Sequence, residues 1–253
     1  MTTGARLVAG TAAHVRAFVR HPLHLVFLVV LPPVVIEVYG MAMASFPEVP
    51  FVETLPATMG RINGAVFATA FLAGLIGLFQ VISAREADSR LQLAGFRHWE
   101  LFLTRLATIV AVSLVAAAAA FAVLAGQVDV AAPVAALAAL ALAGLLYGLL
   151  GVLLGAVVPK ELEGSLLLVF VADFDDFLAS GLANVDSPLL QLLPLHYPHE
   201  LFTAAVTDGA IATGDALAAL AYLGAAFVAV LLTYVVLTDG TAQAATDRGG
   251  VAG

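Results

Sequence analysis

Three carboxylates within an apolar stretch are the residues of this sequence best placed for chemistry. Asp173, Asp175 and Asp176 follow Ser165 by eight to eleven residues. If this stretch is a membrane-spanning helix, they lie roughly 12–17 Å into a bilayer core about 30 Å thick. An ionised Asp at that depth costs about 2.5–3.5 kcal/mol. The three side chains are therefore expected to face protein or water, to be partly protonated, or to lie beyond a span that ends near Val171.

Three roles for these carboxylates are open. They line a translocation path and attract a cationic group, they are wetted by an outer vestibule where a half-helix ends, or they bind Na⁺ or a proton for coupling. Asp173 and Asp176 are three residues apart and are expected to share a helix face, with Asp175 pointing elsewhere. Glu37, in the outer part of an earlier apolar stretch, is predicted to join them as a substrate-path residue.

Motifs for enzyme chemistry are incomplete in this chain. His199 and Glu200 begin like a zinc-protease motif, but Thr203 stands where the second His must be. Ser180 and His196 are candidate hydrolase residues, yet the Gly that should precede the serine turn and an orienting group are missing. The sequence has no Cys, which excludes thiolate metal sites. We therefore predict no catalytic residue, metal or cofactor on this chain.

The composition defines the class of protein that carries these residues. Of the 253 residues, 62% are hydrophobic and 11% are charged, whereas globular domains are about 45–50% apolar and about 25% charged. Lipid must therefore cover part of the surface. The net charge of −8 offers no footprint for nucleic acid, so none is expected as a partner.

The apolar residues fall into runs long enough to cross a bilayer, which takes about 20 residues as a helix. We predict an all-α polytopic membrane protein with six transmembrane helices in one domain, residues 1–253. The predicted spans cover residues 23–44, 62–82, 101–125, 133–158, 165–182 and 210–237. The other predicted segments are an interfacial amphipathic helix at 5–20, a coupling loop at 83–100, an outer loop or re-entrant segment at 183–209 and a tail at 239–253.

The basic residues predict the orientation of these spans. Nine of the ten Lys and Arg residues lie in segments that a six-span arrangement places on one side of the membrane. Arg61 alone falls on the other side. Because short cytoplasmic loops are rich in Lys and Arg, both termini are predicted to be cytoplasmic. Residues 5–20 place arginines opposite an apolar face, which is typical of a helix lying in the interface.

The loop between the second and third spans carries apolar side chains that need cover. Leu91, Leu93 and Phe96 surround Gly95 on the predicted cytoplasmic side, where either lipid headgroups or a protein partner must shield them. A short helix with these side chains fits a groove on a partner. An aromatic interface belt would account for Trp99 but not for the other three apolar residues.

Two motifs in this chain, taken together, resemble the membrane subunits of ABC type-2 exporters. The first spans the cytoplasmic loop and the start of the third span. The second combines Phe177–Gly181 with a Pro-rich outer segment that contains Pro194, Tyr197 and Glu200. The aspartate cluster departs from the family, which is usually apolar at that place. The residues of the first motif are Glu86, Arg90, Leu91, Leu93, Ala94, Trp99, Glu100, Leu101, Arg105 and Leu106.

The resemblance implies the permease subunit of an ATP-driven exporter in the plasma membrane, for example in multidrug efflux. It implies a dimer with a second permease copy, identical or not, and a separate ATPase that binds ATP and Mg²⁺. This chain has no Gly-x-x-x-x-Gly-Lys-Ser/Thr loop of its own. Residues 83–95 would form the main coupling helix and residues 159–164 a second contact. The implied coupling residues are Glu86, Arg90, Leu91, Leu93, Gly95, Phe96, Lys160 and Glu161.

Two other functions remain open from the sequence. An ion-coupled secondary transporter would use Asp173, Asp175 and Asp176, and an intramembrane hydrolase would use Ser180 and His196. Neither substrate nor direction of transport follows from the residues themselves.

A row of glycines in the fourth span predicts close helix packing. Gly144, Gly148, Gly151 and Gly155 recur at intervals of three or four residues and form a small-residue ridge. The ridge packs either within the chain or at a dimer interface.

Overall fold

The computed structural model describes residues 22–45, 55–83, 98–182 and 187–249, with side chains within 26–45, 55–83, 103–182 and 187–233. The described part of the chain is helical and contains no strand. Its seven α-helices are α1 (Pro22–Ala44), α2 (Pro56–Ile82), α3 (His98–Ala125), α4 (Pro133–Val157), α5 (Glu161–Ala179), α6 (His196–Thr207) and α7 (Thr213–Gly249), with a 3₁₀ helix at Pro188–Leu192.

Local sequence explains where these helices begin and end. Pro56 and Pro133 open α2 and α4, where the first turn has no use for the missing N–H. Gly181 and Gly209 follow α5 and α6 with φ of 74°, a left-handed conformation that glycine adopts without strain. The Gly209 N–H donates to the carbonyl of Ala204 at 2.7 Å and closes the last turn of α6.

Five of the helices contain segments that are long and apolar enough to cross a membrane, which identifies a multi-pass membrane protein. The predicted all-helical class is thus confirmed. The five segments are Val26–Ala44, Pro56–Ile82, Leu103–Ala125, Pro133–Val157 and Thr213–Thr233.

Helix α5 corresponds to the predicted span at 165–182 but differs from it in two ways. It runs from Glu161 to Ala179, so it begins four residues earlier and ends three residues earlier. It also carries five acidic residues among its 19 and is not among the five apolar segments. At 1.5 Å per residue it is about 28 Å long, against about 37 Å for α4. A sixth crossing therefore stays a prediction.

Other predicted segments have mixed outcomes. Helix α7 continues through most of the predicted tail at 239–253, as far as Gly249. The interfacial helix at 5–20 and most of the coupling loop at 83–100 lie outside the described residues.

Helix α2 lies at the centre of the bundle and packs against α1, α3, α4 and α5. Its closest neighbour is α4, because glycines remove the side chains between the two backbones. A Cβ on Gly151 would meet the carbonyl oxygen of Gly74, and a Cβ on Gly77 would meet that of Gly148. Such close approach is the usual effect of small residues between membrane helices.

The other two glycines of the predicted ridge also face the chain itself. Gly144 packs against Ser113 of α3, and Gly155 packs against Leu78 of α2. All four positions are buried. The ridge therefore packs within the chain, and these glycines do not form a dimer interface.

Filling the contact between α2 and α4 should destabilise the protein. We expect Gly151→Ala to lower the free energy of unfolding by about 1–3 kcal/mol, because the new methyl group meets backbone that cannot move aside. Gly224→Ala in α7 is the matched control, since a Cβ there meets nothing within 4 Å. Thermal unfolding in detergent measures both. Equal stability of the two variants would contradict the close contact.

Candidate functional site

The three aspartates of α5 lie three to six residues before its end, about 5–9 Å along the helix axis. Asp175 and Asp176 are 2% and 1% exposed, whereas Asp173 is exposed. The spacing predicted that Asp173 and Asp176 share a helix face. In the structure Asp176 is instead buried together with Asp175. The reason is that both belong to the stripe of α5 that packs into the bundle, together with Leu168 and Ala172.

Asp173 contacts the first helix. The hydroxyl of Tyr39 in α1 donates a hydrogen bond to the Asp173 carboxylate. The Tyr39 ring also stacks on Phe67 of α2, with ring centroids 5.6 Å apart. These contacts connect the exposed edge of α5 to α1 and α2.

Asp175 joins three parts of the bundle. Its carboxylate accepts a 2.5 Å hydrogen bond from the Tyr147 hydroxyl in α4 and a 3.2 Å bond from the N–H of Leu195. Leu195 precedes α6 and is fully buried. A buried carboxylate is tolerated when donors satisfy it, so Asp175 fixes the segment before α6 against α4 and α5.

Asp176 differs from its two neighbours because one of its carboxylate oxygens has no partner. Its Oδ1 atom is buried and forms no hydrogen bond with any of the described residues. Its side chain does interact electrostatically with the carboxylates of Asp173 and Asp175. Of the three predicted path residues in α5, it is the one whose carboxylate is left unsatisfied.

A second buried polar group, absent from the predicted site, joins α2 and α6. His199 Nε2 lies 3.0 Å from Asn63 Oδ1, and because an amide oxygen can only accept, Nε2 carries the proton in this bond. The Thr203 hydroxyl lies 3.4 Å from Nδ1. Burial lowers the pKa of His199 to about 4. In the sequence, the one sign of this contact is that the polar Asn63 stands within an apolar run. Its partner lies 136 residues away, so the contact itself could not be read from spacing.

These contacts place α6 inside the bundle rather than on its end. His199 meets Asn63, seven residues into α2. Leu195 meets Asp175, which in turn bonds to Tyr147, fourteen residues into α4. The segment predicted as an outer loop or re-entrant element therefore enters the space between the helices.

Glu37 does not join the aspartates. Its carboxylate lies 3.8 Å from the guanidinium of Arg61, and both side chains are partly exposed. Arg61 crosses Gly40 of α1, where a side chain would collide with it. Glu37 and Arg61 thus pair α1 with α2, and no contact in the described residues links Glu37 to the carboxylates of α5.

The two described coupling residues lie where α5 begins. Glu161 accepts a 2.6 Å hydrogen bond from the hydroxyl of Ser83, the residue that follows α2. Lys160 forms an exposed ion pair with Glu163 at 3.1 Å. The other predicted coupling residues lie outside the described residues: Glu86, Arg90, Leu91, Leu93, Gly95 and Phe96.

The candidate hydrolase pair has separate local partners. The Ser180 hydroxyl donates to the carbonyl of Phe177 at 2.7 Å and accepts from the N–H of Leu182. His196 Nε2 lies 3.6 Å from Glu200. No hydrogen bond in the described part of the chain joins Ser180 to His196.

An apolar pocket of about 490 Å³ lies among α3, α4, α6 and α7. Leu114, Leu142 and Leu220 are among the side chains that line it, and none of its lining residues is charged.

No group of three or more His, Asp or Glu side chains in the described ranges is arranged to hold a metal ion. The chain matches no protein-family model, and no curated protein matches it significantly.

Removing the Asp175 carboxylate should weaken the attachment of α6. We expect Asp175→Ala to lower the free energy of unfolding by about 1–3 kcal/mol, because it leaves the buried N–H of Leu195 without an acceptor. Asp173→Ala is the control, since that carboxylate is exposed and its loss should cost less. Denaturant unfolding in detergent compares the two variants. Equal losses would contradict an anchoring role for Asp175.

The buried histidine should make stability depend on pH. His199 has a pKa of about 4 in the folded protein and about 6.5 when unfolded. Its contribution is therefore complete above pH 6.5 and is lost as the pH falls towards 4, because the unfolded chain binds the proton first. The loss is at most about 3 kcal/mol. Burial raises the pKa of Glu200, which acts in the opposite sense.

The variant that isolates this effect is His199→Gln, which does not titrate. Unfolding measured from pH 7 to pH 4 should lose less stability in this variant than in the wild type. His196→Gln is the comparison variant: it also removes an imidazole, but it leaves the buried His199 in place, so it should keep more of the wild-type slope than His199→Gln does. A wild-type slope in His199→Gln would contradict the assignment.

Proposed function

We propose that this protein is the permease subunit of an ATP-driven exporter of the ABC type-2 class. It would work with a second permease copy and a separate ATPase. Its multi-pass helical fold supports the proposal, as does the resemblance in the cytoplasmic loop and the outer segment. The proposal places the substrate path between permease helices and leaves nucleotide chemistry to the partner.

The observation that carries this proposal is the hydrogen bond between Ser83 and Glu161. Ser83 begins the predicted coupling helix, and Glu161 belongs to the predicted second contact. The bond therefore brings the two proposed ATPase contacts together at one end of the bundle. Gly155 and Gly164 both pack against Leu78 of α2 and hold the turn between α4 and α5 beside it.

Helix α5 connects this end of the bundle to the aspartates. At one end, Glu161 contacts Ser83, and near the other, Asp175 holds Leu195. A movement imposed by the ATPase on the loop after α2 would therefore reach α5 directly. Asp173, the exposed member of the cluster, is the predicted path residue that remains accessible to a cationic group on a substrate.

A second candidate function is an ion-coupled secondary transporter, favoured by the unpartnered Asp176. Transport into reconstituted vesicles separates the two functions. The exporter requires ATP and the ATPase, whereas the ion-coupled transporter works on a gradient after ATP has been depleted.

A charge reversal at Glu161 should impair assembly with the ATPase. We expect an ATPase with a Walker motif to co-purify with the solubilised wild-type protein, and Glu161→Arg to reduce its yield at least several-fold. The variant loses the Ser83 contact and reverses a charge in the proposed interface. Quantitative mass spectrometry of the purified complex measures the yield.

The matched control is Glu200→Arg, the same charge change in α6, at the opposite predicted side of the membrane. It should leave the ATPase yield unchanged. Absence of an ATPase from the wild-type preparation would overturn the proposed function. A wild-type yield in Glu161→Arg would remove Glu161 from the interface.

A further inference from the structure

Asp176 is a buried carboxyl group for which the exporter proposal supplies no role. It is 1% exposed, and the described part of the chain provides no hydrogen-bond donor to its Oδ1 atom. We propose that Asp176 is a proton-binding site that holds one proton in this conformation. The inference does not rest on the proposed ATP-driven transport.

The turns of α5 that precede Asp176 on its buried stripe are apolar. Leu168 and Ala172 are fully buried on the stripe of α5 that contains Asp176, and Ala179 is nearly so. An ionised carboxylate in such a place costs several kcal/mol unless a donor or a cation compensates for it. Neither is present for the Oδ1 atom.

The charged and titratable groups around α5 do not supply the missing positive charge. On α5 itself, Asp173 and Asp175 repel an ionised Asp176. The hydroxyl groups of Tyr39 and Tyr147 donate hydrogen bonds to Asp173 and Asp175 and not to Asp176. On α2 and α6, the remaining groups have partners of their own: Arg61 with Glu37, His196 with Glu200, and His199 with Asn63 and Thr203.

A proton satisfies this site better than a metal ion does. The carboxylate takes up one proton from water to become a neutral carboxylic acid, and no other bond changes. A metal ion would need several oxygen ligands, and the described residues contain no such group of three acidic or histidine side chains.

Proton binding at Asp176 couples the conformation of the bundle to pH. A rearrangement that admits water to the end of α5 stabilises the ionised form of Asp176 and releases the proton. The packed conformation, which keeps Asp176 protonated, is therefore favoured at low pH. The opened conformation, in which Asp176 ionises, is favoured at high pH.

Infrared spectroscopy of the purified full-length protein in lipid vesicles tests this site. At pH 7, the wild type should show the C=O stretching band of a protonated carboxylic acid, and Asp176→Asn should lose it. Asp173→Asn is the matched control and should keep the band. Absence of the band from the wild type, or its persistence in Asp176→Asn, would overturn the proposal.

Two further measurements test the proposal if other bands overlap the carboxylic acid band or if the variant is unstable. Asn is the neutral counterpart of the protonated side chain, so Asp176→Asn should fold with near wild-type stability at pH 7; failure to fold would mean that the charge is required. Replacing Na⁺ with choline should leave the wild-type band unchanged. A band that appears only without Na⁺ would assign the site to sodium and overturn the proton.

Discussion

The contact between the backbones of α2 and α4 determines how the rest of the bundle is arranged. Gly74 and Gly77 meet Gly148 and Gly151 without intervening side chains. In a membrane, helices associate through such packing and through hydrogen bonds, because lipid tails are as apolar as leucine. The close contact therefore gives α2 its central position. From there it presents Gly64 to α1 and Gly74 to Leu168 of α5.

Polar contacts attach α5 and α6 to this pair of helices. Helix α5 is shorter than α4 and more acidic, and α6 has only 12 residues. Apolar area alone would position them weakly. The bonds of Asp175 to Tyr147 and Leu195, and of His199 to Asn63, fix both elements. Since unsatisfied polar groups are costly away from water, each bond also selects one arrangement.

Hydropathy was sufficient to predict most helices, and glycine spacing predicted a close-packing ridge on α4 but not that it packs within the chain. Hydropathy placed the start of α5 too late, because Glu161 and Glu163 make its first turn acidic and therefore typical of a loop. Acidic residues are favourable at a helix N-terminus, and the helix begins there. The polar partners could not be predicted, because Tyr39 and Asp173 are 134 residues apart and meet only after the helices have packed.

The two kinds of contact differ in how they can change. The glycine contact of α2 with α4 is backbone against backbone, and close-packed interfaces of that kind do not deform gradually. Helix α5 instead meets α2 through the Leu168 and Leu78 side chains, and it is held near its ends by hydrogen bonds, to Ser83 at its start and to Tyr147 and Leu195 near its finish. Where a rearrangement admits water, such hydrogen bonds can be exchanged for bonds to water at a net cost of only about 0.5–1.5 kcal/mol each. If the bundle changes conformation, α2 and α4 should therefore move as one body, with α6 bonded to Asn63 of α2 and to Ala131 and Ala132 before α4, while α5 moves against them. The buried carboxyl of Asp176 lies on the α5 side of that boundary.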